Sequence, residues 1–219
     1  MQLYVGATLE RPPGNKYVEA LPFAELTFPG SLPKAKTLAR WRESVPESFR
    51  VAIVVPHAAI GPARTPLRLG DDTLPAYEWL KEAMGILQAD VVLPTGSGLS
   101  TSRKDRDRLE AYFDGLPDID DRLKVWSPRG LWEVELAYPA AADMDVVCAF
   151  DPLTDPAPPS DVIYARVAAV GARRRLGEGI LYELLEALID AEPEQALVSL
   201  ESGRSFQEAV ALQALAAGG

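Results

Sequence analysis

Cysteine and histidine are almost missing from this chain: its 219 residues include one of each, Cys148 and His57. One thiol cannot form an internal disulfide, and with no secretory signature this points to a reducing, cytoplasmic setting. A single cysteine and a single histidine, far apart, also exclude the usual zinc sets. No metal and no cofactor is expected, and only an all-carboxylate magnesium-type site stays open. Basic residues are the minority too, 22 Lys and Arg against 32 Asp and Glu, for a net charge of −10. That balance opposes sequence-independent binding to phosphate backbones or anionic membranes, so nucleic acid is not an expected partner. No apolar run approaches the ~20 residues that span a bilayer, and MQLYVGATLE lacks a basic stretch followed by an apolar one. No membrane association is expected.

What is present is an ordinary globular composition, 47% apolar and 25% charged, enough for one domain over residues 1–219 with a sizeable core. Residues 176–219 carry eight acidic side chains against Arg204 alone. A solvated helical face explains that first, and a docking surface for a basic protein partner second.

Eight short apolar stretches read as strands: Gln2–Gly6, Phe23–Phe28, Arg50–Val55, Ala89–Leu93, Leu123–Trp126, Asp145–Phe150, Val162–Val167 and Ala196–Leu200. Helical patterns lie between them. One starts near Pro33 and carries Leu38, Trp41 and Val45, and another follows Asp71-Asp72 with Tyr77, Leu80, Met84 and Leu87. Ser102 with Asp105 announces a third, a weaker pattern over Leu131–Ala142 is interrupted by Pro139, and Leu181, Leu184, Leu185 and Leu188 mark a later stripe. Ser205 with Glu208 reads as a capping box for the last helix.

Strand and helix alternate, which predicts a parallel sheet with crossover helices, and eight strands predict a closed TIM-like (β/α)8 barrel. Such barrels typically need about 250 residues, so fewer than eight helices are expected. Arg11–Ala20 is too short and proline-broken for a good helix, and DPLTDPAPPSD over Asp151–Asp161 is a loop. An open doubly wound sheet fits less well, because polar residues recur at alternate strand positions. In FAELTF, Phe23, Glu25 and Thr27 share one face, and in VIYARV so do Val162, Tyr164 and Arg166.

Residues 23–56, FAELTFPGSLPKAKTLARWRESVPESFRVAIVVP, resemble the DUF72 (YecE-like) family. There a glutamate-bearing strand leads into a proline-started helix with ARW or ERW, then a P-x-x-F segment and the next strand. VGATLE, Gly85–Pro117, DVVCAFD, VIYARV and SFQEAVALQAL are similar to further family segments more weakly. The resemblance implies a compact TIM-like barrel without an assigned reaction. It also implies a polar pocket that is rewritten in this chain. Val54-Val55 stands where the family has a lysine, Val125-Trp126-Ser127 for its E-x-R, Arg166-Val167-Ala168-Ala169 for its R-x-H-G, and Glu201-Ser202 for its paired asparagines. Glu25, Asp151, Tyr164 and Arg166 remain.

Glu25 and Arg166 are expected to face the barrel interior, as a structural ion pair or as a clamp on a polar ligand. Asp151 and Glu201 stand at C-terminal strand ends, where this fold keeps catalytic carboxylates, although an Asx-turn is the commoner task for Asp151. Gly96, Ser97 and Gly98, before a helix with four nearby bases, together with Arg173 and Arg174, are the candidate anion binders. A loop before a solvated charged helix explains the glycines equally well. His57 and buried Cys148 carry no nucleophile signature, and there is no G-x-S-x-G elbow. Two functions stay open. One is a non-catalytic binding or protein-interaction module. The other is an enzyme acting on a small anionic or phosphorylated substrate, with Glu25, Asp151, Arg166 and Glu201 as acid, base or clamp.

Overall fold

The alternating strand and helix patterns fold into eight strands ordered β1 to β8 around a closed parallel barrel, seen in a computed structural model that describes residues 1–171 and 174–218. The strands are β1 Gln2–Leu9, β2 Phe23–Leu26, β3 Arg50–Val54, β4 Asp90–Pro94, β5 Lys124–Ser127, β6 Val147–Phe150, β7 Val162–Ala168 and β8 Gln195–Glu201. The helices are α1 Asn15–Ala20, α2 Ala35–Glu43, α3 His57–Ile60, α4 Leu74–Leu87, α5 Arg103–Asp114, α6 Val134–Asp143, α7 Glu178–Asp190 and α8 Ser205–Ala216. Among the described residues no helix is long and apolar enough to cross a membrane.

A helix is replaced by a loop at one connection, as expected, but the total is not below eight among the described residues. The connection after β6 has none, as its prolines dictate, but the one after β3 holds two, α3 being a single turn. Arg11–Ala20 also forms a helix after all, starting at Asn15 beyond the two prolines. Six residues are too few to be helical alone, so packing supplies the stability. The buried Tyr17 hydroxyl accepts from the Ala7 N–H (2.7 Å) and donates to the Phe23 carbonyl (2.9 Å). Burial raises its pKa, against the opposing hydrogen bond from Ala7. At α6 the helix runs on through Pro139 instead of stopping there. β6 begins two residues later than expected because Asp145 has φ +55°, a left-handed conformation that ends the preceding helix rather than extending a strand.

The chain divides into two compact units. The first is Met1–Leu26, Glu47–Arg50 and Ala149–Gly219. Its ladder runs β7–β8–β1–β2, with Arg166 opposite Ser199, Ser199 opposite Gly6, and Thr8 opposite Glu25. One face of this ladder is apolar and fully buried: Val5, Ala7, Ala24, Leu26, Ile163, Ala165, Val198 and Leu200. α8 lies along β1 and β8, and Tyr17 fastens α1 to β1 and β2. The other face carries the polar side chains described below.

The second unit is Thr27–Pro46 and Val51–Cys148. Its β3 and β4 are mostly apolar and buried on both faces, and its buried polar aromatic groups find partners. Trp126 donates to Thr95 Oγ1 (2.9 Å), Trp132 to the Leu99 carbonyl (3.1 Å) and Tyr77 to the Tyr112 carbonyl (2.8 Å). Burial, with help from Glu78 and Asp114, pushes the Tyr77 hydroxyl up to about 12.

Candidate functional site

Glu25 sits on a four-residue strand, opposite Thr8 of β1 and on the face away from α1 and α8. Its side chain is wholly buried. Burying a lone carboxylate is prohibitive, so the charge must be met locally. It is met by four hydrogen bonds. Arg166 donates through Nε (3.0 Å) and NH2 (2.9 Å), Tyr164 through its hydroxyl (2.9 Å) and Thr8 through Oγ1 (3.0 Å). Thr8 Oγ1 also lies 2.8 Å from Ser199 Oγ. The two-pronged guanidinium contact is the strong, orientation-fixing form of ion pair. Burial alone would lower the pKa of Arg166, but the charge and hydrogen bonds of Glu25, with smaller help from Tyr164 and Glu201, carry it above its ordinary value. Arg166 is a permanent cation, its side chain 17% exposed.

Alternation in β2 and β7 thus gives the facing of Glu25 and Arg166 correctly. It misses Thr8 and Ser199. Both follow from the same period of two, counted from Gly6 in β1 and Leu197 in β8, once the register is known. Gly6 is needed on this face: a Cβ there would lie 2.2 Å from the Phe23 carbonyl oxygen.

Asp151 and Glu201 are spent differently. Asp151 Oδ1 accepts from the Leu153 N–H (3.1 Å), an Asx-turn, and the Asp151 backbone carbonyl closes the turn onto Asp155. Burial raises the Asp151 pKa, Asp155 adds to it, and the Leu153 bond opposes. A raised carboxyl favours the protonated folded state. Its stabilising effect is complete below about pH 4, the ordinary aspartate range, and is lost as pH rises through the higher folded value. Asp151→Asn keeps the turn acceptor and sheds the charge, so it is expected to equal or exceed the natural chain in stability at pH 7. Relative to the natural chain it should gain nothing at pH 3.5. Urea midpoints at the two pH values check this, and a variant that loses stability at pH 7 only contradicts it.

Glu201 is half exposed and pairs with Arg174 at 3.7 Å. Arg174 is therefore already engaged by a carboxylate, and Arg173 lies outside the described residues. The Ser205–Glu208 capping box does not form. Arg204 takes the cap position without a side-chain bond, and the buried Glu208 carboxylate instead accepts from the Leu176 N–H (2.8 Å) and the Ser202 hydroxyl.

In the second unit, Gly98 has a packing reason to be glycine: a Cβ would lie 1.9 Å from the Ala63 carbonyl oxygen. Gly96 is in open space, and Ser97 packs against Gly130, whose φ is +81°. The start of α5 already holds a carboxylate. Asp105 accepts from Ser100 Oγ (2.5 Å) and Ser100 N–H (3.0 Å), and Ser102 caps the helix. The Ser100 hydroxyl, foremost, holds Asp105 below the usual carboxylate range, against its burial. Two of the nearby bases are occupied as well. Arg106 donates to the Thr101 carbonyl and lies over Trp132, and Arg108 pairs with Asp105.

His57 is exposed at the start of α3, and Cys148 is buried in β6. Among the described residues no three His, Cys, Asp or Glu side chains group in a way that would hold a metal ion. No protein-family model matches the sequence, and no curated protein matches it. Solved structures do. A DUF72 family protein from Enterococcus faecalis V583 superposes with TM-score 0.73 at 16% identity, over 100% of this chain and 98% of the other. Another, from Thermotoga maritima MSB8, gives 0.70 at 14% identity, over 99% and 100%. D-psicose 3-epimerase from Clostridium cellulolyticum H10 gives 0.60 at 10%, over 99% and 98%. The chain is thus DUF72-like in fold, a closed eight-stranded barrel of the kind that residues 23–56 resemble.

Proposed function

We propose that this chain is a divergent DUF72-like barrel, one domain over residues 1–219, that binds a small anionic ligand through Arg166 and does not catalyse a reaction on it. One observation carries the reading: the carboxylate of Glu25 is saturated. Proton transfer needs a group with a lone pair or proton within reach of the substrate. An ionised carboxylate offers about four acceptor sites, and those of Glu25 are taken by Arg166, Tyr164 and Thr8. Asp151 is bound into its own turn and Glu201 to Arg174. Arg166 is held rigidly by a buried anion, and a fixed guanidinium suits recognition better than turnover.

A thermal-shift series on the full chain with inorganic phosphate, acetate and malonate at constant ionic strength tests it. At a hundred times its Kd, one of them should raise Tm on the order of 5–10 °C. Arg166→Lys keeps the charge but not the two-pronged geometry, and should abolish the shift. No shift with any anion, with a specific protein co-purifying, replaces the ligand with a protein partner. An enzyme acting on a small anionic or phosphorylated substrate is the second reading. It draws on the raised pKa of Asp151, which suits a general acid. Turnover that is lost in Asp151→Asn with folding intact would favour it.

A further inference from the structure

We propose that Glu208 is a built-in anion, filling with its own carboxylate a carboxylate-binding site made by Leu176, which follows β7, and Ser202, which follows β8. The loops after these two strands are where barrels of this class frequently take a phosphate. Here the donors are present and the ligand is part of the chain. Leu176, in the loop after β7, gives its backbone N–H to Glu208 Oε1 at 2.8 Å, and Ser202, in the turn after β8, gives its hydroxyl to Oε2. Ser202 Oγ accepts from the Arg204 N–H at 2.9 Å, which leaves the hydroxyl hydrogen to point at the carboxylate. Glu208 itself is 7% exposed.

A glutamate in the first turn of a helix ordinarily stays local, capping its own N-terminus. This one reaches a backbone amide 32 residues earlier in the chain. Two more contacts join the same loops, Gly203 N–H to the Arg174 carbonyl (2.8 Å) and Arg174 to Glu201 (3.7 Å). Glu208 is therefore the positioning residue that holds together the segments following Arg166 and Ser199. An external carboxylate or phosphate would bind there only if this side chain were gone. The inference is independent of Arg166 as a ligand group, since none of its donors belongs to that cluster.

Residue-resolved amide hydrogen exchange on the full chain tests it. In Glu208→Ala the Leu176 amide should exchange at least tenfold faster. Sodium acetate should restore its protection while sodium chloride of equal ionic strength does not, and the natural chain should respond to neither. Acetate acting no better than chloride, or an unchanged Leu176 in the variant, overturns the proposal. Should Glu208→Ala fail to fold, Glu208→Gln keeps the size and removes the charge. Leu176 should then exchange at least threefold faster with the rest of α8 unchanged, and an equal rate overturns the proposal. Because the readout is the Leu176 amide, either outcome leaves the Arg166 reading to be judged separately.

Discussion

Glu25→Leu is expected to cost about 3–5 kcal/mol, the penalty for stranding one member of a buried ion pair. The magnitude follows from asymmetry. Arg166 makes two of its hydrogen bonds to Glu25, and with the carboxylate gone a cation only 17% exposed must lose that partner or drag water inward. Tyr164 and Thr8 lose an acceptor at the same time, each a further cost. Replacing both charges, as in Glu25→Leu with Arg166→Met, should return most of the loss, because removing a pair also removes two desolvation penalties. Urea unfolding of the single and double variants gives the coupling through a mutant cycle. A single variant costing under about 1 kcal/mol, the ordinary worth of an exposed pair, would mean that the barrel does not depend on these charges. The double variant also separates structure from recognition: it should fold, and it should show no anion-dependent rise in Tm.

Much of this arrangement is legible in the sequence because strands obey a period of two. VIYARV places Tyr164 and Arg166 on one face of β7, and FAEL places Glu25 on the face of β2 opposite Ala24 and Leu26, whatever the partner strands are. Thr8 and Ser199 are not legible in the same way, since a hydroxyl joins a buried carboxylate only through register, and register is set by pairing across strands distant in sequence. α1 escaped for a related reason. Its stability comes from the Tyr17 hydroxyl at β1 and β2, a tertiary bond that local propensity does not contain. Ser205 and Glu208 have capping-box spacing, yet the glutamate finds a better-buried partner in Leu176. Local rules give way where a charged group can be desolvated and fully bonded elsewhere. The prolines of residues 151–161 did fix a loop, since Pro152, Pro156, Pro158 and Pro159 each remove an N–H donor, where α6 carries only the one at Pro139.

Glycine-rich loops show the opposite error, a local signal with more meanings than one. Gly96 and Gly98 look equivalent beside a helix start, but the structure separates them, and Gly98→Ala should be the more damaging by at least about 3 kcal/mol. A methyl at 98 meets a backbone oxygen at 1.9 Å, and backbone held by neighbouring structure cannot rotate aside as a side chain would. The segment carrying Ala63 or the one carrying Gly98 must move. Gly98 follows β4 and immediately precedes Leu99, which is fully buried and whose carbonyl accepts from Trp132, so movement there also disturbs Trp132. Gly96→Ala meets nothing within 4 Å and Gly96 is not among the residues of positive φ. It should fall within about 0.5 kcal/mol of the natural chain. Chemical denaturation of the two variants decides between the meanings when paired with phosphate titrations. If the glycines serve packing, Gly98→Ala lowers stability and neither variant changes an anion response. If they serve to bring amides close to an anion, Gly96→Ala weakens phosphate binding while leaving the fold intact, and the anion site returns to this loop.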